Sequence, residues 1–542
     1  MTLTFSRRSL LATGTLGLGA FALPGFAAAQ TILAARGFTH SVASGEPAGD
    51  SMLLWTRYVP NAGDSARLVA EISETADFAR VVASGACLTG AWRDWTAKVT
   101  LDGLTPGTDY HYRFVAADGT RSPVGRTRTL PGDGARAFRA AIFSCSNLGY
   151  GWFNAYGHAA ERDDIDLAIH LGDYFYEYSP DHYPPKEAQL AGRVPQPLAE
   201  TIHLADYRLR FASYRADPDL QALHARVPWV VQWDDHESAN DSWEGGAQNH
   251  DPASEGDWNT RRDASVQAYR EWMPVSDEPW KAYDIGTLAT LWRTETRLFA
   301  RSRQREIAAL LGAPDPAAAL VAFRDGAWQD EAVTMMGSQQ ESWLAHDLRR
   351  SVRQGQRWQV VGFGTIMGHL QIPVAAESLL GSANPRARDY IRGGIAATRA
   401  GIDSNLDCWG GYPAARARFL RSAQAAEAEL VVICGDSHNA WAFDLAQDGA
   451  AGVEFAGQAV TSPGYEASLT ADPATVARLM VAGNRELTWC DTSRRGYMAL
   501  TITPETVRNE WLFVDTIRQR DPRARVGHVA TVARGRRRIA AA

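Results

Sequence analysis

The sequence predicts an α/β fold with an all-β region ahead of the α/β core, and two patterns support this class. Between residues 36 and 132, runs such as ARLVAEIS and DYHYRFVA alternate apolar and polar residues, as half-buried strands do. Further along, short apolar runs alternate with helical stretches such as QESWLAHDLRRSVRQG, which is typical of an α/β core. At 542 residues the chain is also too long for one ordinary core.

The first segment, residues 1–29, is predicted to be a twin-arginine (Tat) export signal. Arg7 and Arg8 precede a stretch rich in Gly and Ala, and AAAQ offers the small residues that a signal peptidase needs. A membrane anchor is the alternative, but the stretch is short and rich in glycine. We therefore expect export by the Tat machinery to the periplasm or the medium, with no membrane span in the mature protein.

The next segment, residues 36–132, is predicted to form a separate β-sandwich of about seven strands. LDGLTPGTDYHYRF, residues 101–114, resembles a pattern of fibronectin type III domains in which a Tyr packs at a strand–loop corner. TLPGDGARAF is the expected linker to a main domain over residues 137–518. Residues 519–542 are rich in Arg and Ala, and we expect them to be a basic, weakly ordered tail.

Composition narrows the classes of function. The formal net charge is −7 and no basic stripe lies outside the C-terminal tail, which argues against a specific nucleic-acid partner. Five cysteines, an odd number without a CxxC pair, do not suggest a disulfide framework. Cys145 is placed to act as a thiolate ligand. Cys434 lies inside an apolar run, and we expect it to be a buried packing residue.

Several apolar runs end in residues that can bind metal ions. In an α/β sheet, ligands bind beyond the carboxyl ends of the strands, so we expect these residues to meet in one polynuclear metal site. The candidates are Cys145 in FSCSN, Asp173 and Tyr176 in GDYFYEY, Asp235 and Asn240 in WDDHESAN, and Asp436 and His438 in GDSHNAW.

The mixture of ligand types indicates more than one kind of ion. A Cys145 thiolate fits a transition metal, and Tyr176 must lose a proton with a reference pKa of about 10, which favours Fe(III). The oxygen ligands of Asp235 and Asn240 suit calcium or magnesium, and a carboxylate such as Asp173 can bridge two cations. Such a site suits hydrolysis at phosphorus, with His438 as an acid or a phosphate-contacting donor.

Each cluster also has a purely structural interpretation. Tyr176 could be a packing residue, Asp173 a turn residue, and Asp234 or Asp235 a helix N-cap. A single histidine such as His438 is usually structural. The joint occurrence of all the clusters at strand ends favours the functional interpretation.

The whole set of motifs resembles the PhoD family of alkaline phosphatases and phosphodiesterases. They are FTHSVASGEPAGDSMLLWTRY, FSCSN, HLGDYFYEY, WDDHE, NLDCWGGYPAAR, GDSHNAW and TSPG, and they cover nearly the whole mature chain. The resemblance implies an N-terminal β-sandwich and a metallophosphoesterase-like catalytic domain with a two-sheet αββα core. It also implies a centre of Fe(III) with Ca(II).

The resemblance implies a role for each candidate residue. Cys145, Asp173, Tyr176 and Asp436 would be iron ligands, and Asp173 would bridge to calcium. Asp235 and Asn240 would bind calcium, and His438 would lie near the phosphate. The family often has paired Asn after WDDHE, where this chain has only Asn240. Three further residues stand in family motifs without an assigned role: Asn147, Asp407 and Trp409.

The expected function is that of an exported phosphatase acting on phosphomonoesters, and on phosphodiesters as a second class, at alkaline pH. The attacking oxygen would be activated by metal, because Ser44, Ser144 and Ser437 have no clear base partner for a covalent route. One alternative is a phospholipase D-like phosphodiesterase acting on lipid head groups or teichoic-acid-like polymers. The other is a non-enzymatic surface protein in which the β-sandwich is an adhesion module.

Overall fold

The computed structural model describes residues 24–180 and 182–540. The Arg7–Arg8 pair and most of the predicted export signal therefore lie outside the described residues. Within the described ranges, no helix is both long enough and apolar enough to cross a membrane.

The chain forms twenty strands in the part that the structure describes. The N-terminal region contains β1 (Gly37–Gly45), β2 (Ser51–Val59), β3 (Ser65–Ser73), β4 (Val81–Gly90), β5 (Thr96–Asp102), β6 (Asp109–Ala116) and β7 (Gly125–Arg128). The rest are β8 (Phe138–Phe143), β9 (Leu167–His170), β10 (Trp229–Val231), β11 (Lys281–Ile285), β12 (Ala289–Arg293), β13 (Trp358–Phe363), β14 (Leu430–Cys434), β15 (Ala440–Ala446), β16 (Ala450–Ala456), β17 (Leu487–Asp491), β18 (Gly496–Ile502), β19 (Thr506–Val514) and β20 (Ala524–Ala533).

Six of the twelve helices in the described residues begin at an Asp or Asn side chain that caps the first turn. Asp217, Asp257 and Asn384, for example, each accept a hydrogen bond from a backbone N–H of the first turn. The helices are α1 (Pro24–Ala34), α2 (Asn154–Ala160), α3 (Leu204–Arg215), α4 (Pro218–Arg226), α5 (Pro252–Glu255), α6 (Trp258–Trp272), α7 (Ile307–Leu311), α8 (Pro316–Asp325), α9 (Gly337–Arg353), α10 (Pro385–Arg399), α11 (Pro413–Ala425) and α12 (Pro473–Gly483).

The N-terminal region is a β-sandwich. Its strands β4, β3, β6 and β7 form a four-stranded antiparallel sheet that packs on β1, β2 and β5. The hydroxyl of Tyr110 accepts a hydrogen bond of 2.9 Å from the amide of Thr105, five residues earlier. This is the corner contact that the fibronectin-like pattern predicts, since its Tyr bonds back to nearby backbone.

The sandwich is joined to the rest of the protein through a shared sheet. β1 pairs in parallel with β10, and the amide of Glu46 donates to the carbonyl of Trp229 over 2.9 Å. Gly45 permits this approach, because a Cβ at that position would clash with the carbonyl of Pro274. The first sheet therefore runs without interruption in the order β20-β19-β18-β8-β9-β10-β1-β2-β5.

Two sheets face each other in the main domain, and helices cover both outer faces. The second sheet has the order β11-β12-β13-β14-β16-β15-β17. Side chains such as Ile142 and Ile169 of the first sheet pack between the sheets with Val431 and Phe455 of the second. Helices α2, α3, α4 and α6 pack on the first sheet, and α9 to α12 pack on the second. The predicted αββα arrangement is confirmed.

The C-terminal segment corrects one expectation, because part of it is a strand and not a weakly ordered tail. β20 pairs antiparallel with β19 from Ala524 to Ala533. Ala530 and Val532 are buried, and the ring of His528 stacks on Trp489 with 4.0 Å between ring centroids. The Arg-rich composition of the segment obscured an edge-strand pattern, in which charged side chains face water and small apolar ones face the sheet.

Candidate metal centre

The carboxyl ends of four strands meet at one place. β8, β9 and β10 are parallel neighbours in the first sheet, and β14 lies in the facing sheet. Within the described ranges, three groups of residues have ligand atoms within 4.8 Å of one another: Cys145, Asp173 and His438; Asp173, Asp235 and His236; and Asp234, Asp235 and Asp436. Asp173 and Asp235 each belong to two groups, so the groups form one continuous cluster, which we call the acidic site.

The backbone turns sharply where it enters the acidic site. Cys145, Asp173, Asp436 and His438 have φ angles of 60°, 56°, 63° and 60°. These values lie in the left-handed region, which residues other than glycine rarely adopt and which is concentrated at functional sites. The conformation directs each side chain away from the end of its strand.

Two glycines allow the strand ends to approach one another. Gly172 has a φ of 110°, and a Cβ there would clash with Asp234. Gly435 plays a different part, because a Cβ there would lie 2.6 Å from the Cβ of Ser144. Gly172 adopts a positive φ, which glycine does readily because it has no Cβ, whereas Gly435 does not.

Tyr176 is hydrogen-bonded on several sides within the acidic site. Its hydroxyl accepts from the hydroxyl of Ser462 over 2.6 Å, and its single proton has two acceptors, Asp173 at 3.3 Å and Nε2 of His438 at 3.0 Å. Burial raises the pKa of Tyr176 well above its usual value, and the charge of Asp173 raises it further. Burial and Asp173 raise the pKa of the Cys145 thiol in the same way. Both groups are therefore neutral unless a cation stabilises their anions.

Two carboxylates of the acidic site, Asp173 and Asp436, lack sufficient positive charge around them. Burial raises the pKa of Asp173 and of Asp436 well above the usual range, and the neighbouring aspartates add to the effect. Oδ1 of Asp173 and Oδ1 of Asp235 are buried and have no hydrogen-bond partner. Buried charges are normally paired or bound to metals, so these free oxygens fit bound cations.

His236 is a member of the acidic site that sequence reasoning did not single out, although it stands inside WDDHE. Its Nδ1 lies 2.7 Å from Glu177, which also accepts from the backbone amide of Asn240. Burial alone would lower the pKa of His236, but Asp235 and Glu177 together raise it well above its usual value. His236 is therefore held as a cation beside Asp235.

His438 is neutral in this environment. Burial lowers its pKa to about 3, with Arg495 as a further cause that opposes protonation. Nδ1 lies 2.8 Å from the carbonyl of Pro463, which can only accept, so Nδ1 carries the proton. Nε2 is then an acceptor, 3.0 Å from the hydroxyl of Tyr176.

Comparison with known proteins places this architecture in a family. Residues 140–511 match the PhoD-like phosphatase family, and residues 25–131 match the N-terminal domain of PhoD-like phosphatases. The chain belongs to the PhoD-like phosphatase family. It is 32% identical over 496 residues to alkaline phosphatase D of Bacillus subtilis (strain 168), covering 86% of this chain and 76% of that protein.

Solved structures agree with this assignment. A structure of PhoD matches with a TM-score of 0.76 at 28% identity, covering 92% of this chain and 91% of that chain. A purple acid phosphatase from yellow lupin seeds shares the fold at a TM-score of 0.53 and 14% identity, covering 93% and 75%. The protein is a phosphoric ester hydrolase with a metallophosphoesterase-like fold. Membership in the PhoD-like family implies metal dependence, and the acidic site contains groups of residues that could hold metal ions.

Arg297 is the residue of this PhoD-like site that no sequence pattern revealed. It is fully buried, and its Nε and Nη2 donate to Asp234 over 2.6 and 2.9 Å. Its Nη1 donates to both oxygens of Asp407 over 2.9 and 2.8 Å, and Arg301 also pairs with Asp407. The guanidinium is therefore hydrogen-bonded to Asp234 and Asp407 and lies 3.7 Å from Asp235, whose Oδ1 keeps no hydrogen-bond partner.

The structure brings most of the predicted residues together, but it places Asn240 at the margin. The side-chain amide of Asn240 donates to Gln248 over 3.0 Å, and the residue is partly exposed. Trp409 is buried in the core beside the second sheet. Nδ2 of Asn147 is buried without a hydrogen-bond partner, as is Oδ1 of Asp235. The calcium role of Asn240 stays a prediction.

Proposed function

We propose that this protein is an exported alkaline phosphatase that hydrolyses phosphomonoesters, and phosphodiesters as a second class, at a centre of Fe(III) and Ca(II). One observation carries the proposal: a thiol, a phenol and several carboxylates, two of which have an oxygen without a hydrogen-bond partner, converge in one buried cluster. Thiolate and phenolate favour a transition metal, whereas a site of oxygens alone suits calcium.

We assign the ligands from the resemblance of their motifs to those of the PhoD family. Cys145, Asp173, Tyr176 and Asp436 would hold Fe(III), and Asp173 would be shared with calcium. Asp235 would bind calcium, together with Asn240 if its side chain turns from Gln248. The overlap of Asp173 between two ligand groups supports its bridging role.

The bound cations would polarise the phosphoryl oxygens and lower the pKa of the attacking oxygen. The chain itself controls where protons go. Nε2 of His438 is unprotonated and 3.0 Å from the Tyr176 hydroxyl, so it can accept a hydrogen bond there. His438 would lie near the phosphate, where neutral Nε2 would orient a proton-bearing group such as the attacking water. Arg297 would hold Asp234 and Asp407 in place during turnover.

The decisive experiment is a visible absorption spectrum with metal analysis of the purified protein. Tyrosinate and thiolate bound to Fe(III) should give a coloured protein, and Cys145→Ser should shift or bleach the band and lower activity. Cys434→Ser is the matched control. Cys434 is buried and donates a hydrogen bond of 3.0 Å to Glu454, and it belongs to none of the three ligand groups. A colourless, iron-free and fully active enzyme would refute the iron assignment.

Calcium and substrate class need separate measurements. A calcium chelator should abolish hydrolysis while the colour remains, and activity that survives it would exclude a catalytic role for calcium. Rates on a monoester, a diester and a phospholipid, measured side by side, separate a phosphatase from a phospholipase D-like enzyme. Export is tested by changing Arg7 and Arg8 to Lys, which should retain the protein in the cytoplasm.

A further inference from the structure

An apolar cavity of about 210 Å³ lies against the acidic site and takes no part in the function described so far. Its walls come from α10, α12, the 3₁₀ segment Val374–Ser382 and the loop after TSPG. Most of the lining is aliphatic or aromatic, including Leu379, Tyr390, Tyr465 and Met480. A cavity of about 150 Å³ with such a lining is large enough to bind benzene.

One loop forms a wall of both the cavity and the acidic site. Ser462 donates to the hydroxyl of Tyr176, and the carbonyl of Pro463 is the partner of His438. Gly464 and Tyr465, the next two residues, line the cavity. Three residues span at most about 11 Å of extended chain, so the cavity begins within that distance of Ser462, which donates to the predicted iron ligand Tyr176.

Tyr465 provides a second link between the cavity and the acidic site. Its ring lines the cavity and lies 6.0 Å from the ring of Trp441, measured between centroids. The indole N–H of Trp441 donates to the hydroxyl of Ser437 over 2.7 Å. Ser437 stands between Asp436 and His438 in the chain, so the cavity wall is connected to the acidic site through this contact.

We propose that the cavity is a subsite for the apolar alcohol portion of the phosphate ester, of the size of a phenyl ring or a short alkyl chain. The inference rests on the proposed function, because it requires the phosphate to sit at the acidic site. At 210 Å³ the cavity is too small for the two acyl chains of a phospholipid. Gly464 keeps the shared loop close, since a Cβ there would clash with Asn439.

The test is a series of alkyl phosphate monoesters from ethyl to octyl. Their leaving groups have nearly the same acidity, so differences in kcat/KM report contacts of the chain and not chemistry. We expect kcat/KM to rise up to about fourfold for each added methylene until the cavity is full, and then to level off. Ethyl- and hexylphosphonate, which are not hydrolysed, should differ in inhibition constant in the same direction.

A pair of matched variants locates the effect. Ala387→Phe places a ring in the cavity from α10, whereas Ala375→Phe places the same ring on an exposed neighbouring surface. Ala387→Phe should abolish the preference for hexyl over ethyl phosphate and leave ethyl phosphate hydrolysis within about twofold of the parent. Ala375→Phe should retain the preference.

The outcomes separate this inference from the proposed function. Equal kcat/KM for all chain lengths, with ready hydrolysis of each, would overturn the subsite and leave the phosphatase intact. Absence of hydrolysis of every ester would overturn the proposed function. The phosphonates would then still decide the subsite by binding, because calorimetry needs no turnover. A chain-length preference that persists in Ala387→Phe would also overturn the subsite.

Discussion

Two buried ionic clusters in the main domain differ in how their charges are balanced. In the first, the pair of Arg416 and Glu486, the guanidinium donates to both carboxylate oxygens over 3.0 and 2.7 Å. Glu486 also accepts from the backbone amide of His369 over 3.0 Å. In the acidic site, by contrast, Asp173 and Asp235 each retain a buried oxygen without any hydrogen-bond partner.

The difference separates a structural cluster from a functional one. A buried ion pair is tolerated when each charge is paired and its remaining hydrogen bonds are made, as for Arg416 and Glu486. A buried carboxylate with a raised pKa, such as Asp173, is costly unless another positive charge compensates it, and such groups are typical of functional sites. In the acidic site we expect bound cations to do so. Substitutions in the two clusters should therefore have different consequences.

The largest effect is expected for Asp173→Asn. Loss of the shared ligand should lower kcat/KM for p-nitrophenyl phosphate by at least about a thousandfold, because metal ions supply several kcal/mol of charge stabilisation in the transition state. In chelator-treated protein the same variant should unfold at a higher temperature than the parent, because it removes one of the mutually repelling carboxylates. Enzyme kinetics and thermal unfolding measure the two effects.

Glu486→Gln is the control for Asp173→Asn. It should lower the free energy of unfolding by about 3 kcal/mol, because it leaves the buried Arg416 without its partner. The activity of each folded molecule should be unchanged. If Asp173→Asn destabilises the metal-free protein as Glu486→Gln does, the contrast between the clusters is wrong.

Arg297→Met should have the next largest effect. The variant leaves Asp234 without its bidentate partner and deprives Asp407 of one of two guanidinium partners, so both metal affinity and activity should fall by about 10- to 100-fold. Metal titration followed by absorbance or by activity measures this change. Arg416→Met should destabilise the fold without altering the metal titration. An unchanged titration in Arg297→Met would show that Arg297 is structural only.

A third buried cluster joins the β-sandwich to the main domain and should make stability depend on pH. Glu46 accepts from Lys281 over 2.9 Å and lies 3.3 Å from Arg293. Burial alone would raise its pKa, but the two cations lower the pKa below the usual Glu value. The stabilisation is therefore present above the ordinary value of about 4.3 and is lost as the pH falls through and below it.

Glu46→Gln tests this pH dependence. At pH 7 the variant should lose about 2 kcal/mol of unfolding free energy, and this deficit should shrink as the pH is lowered below about 4. Denaturant unfolding at several pH values measures the difference. A deficit that is constant from pH 7 to pH 3 would show that charge plays no part.

The smallest effect is expected for Ser462→Ala. Its hydroxyl donates to the Tyr176 oxygen, and one hydrogen bond contributes about 1 kcal/mol, so activity should fall by about fivefold and the visible band should shift. Ser404→Ala, which removes a hydrogen bond of 2.6 Å to the amide of Ile372, should change neither. An unshifted band in Ser462→Ala would argue against a Tyr176 phenolate.

The positions of strands and of the residues at their ends could be predicted from local patterns in the sequence. Alternation with a period of two predicted the sandwich strands, and apolar runs followed by ligand residues predicted where Cys145, Asp173 and Asp436 would lie. These predictions hold because a strand end is a local event, and the ends of parallel strands meet at the same edge of a sheet.

The residues that compensate the charges of the acidic site can be identified only in the folded structure. Arg297 lies 63 residues from Asp234 and 110 from Asp407, and no motif connects the three. The continuous sheet through β1 and β10, the pairing of β20 with β19 and the cavity beside Tyr465 likewise depend on elements distant in the chain. Electrostatic compensation and packing act through space, so a pattern along the chain cannot reveal which side chain will supply them.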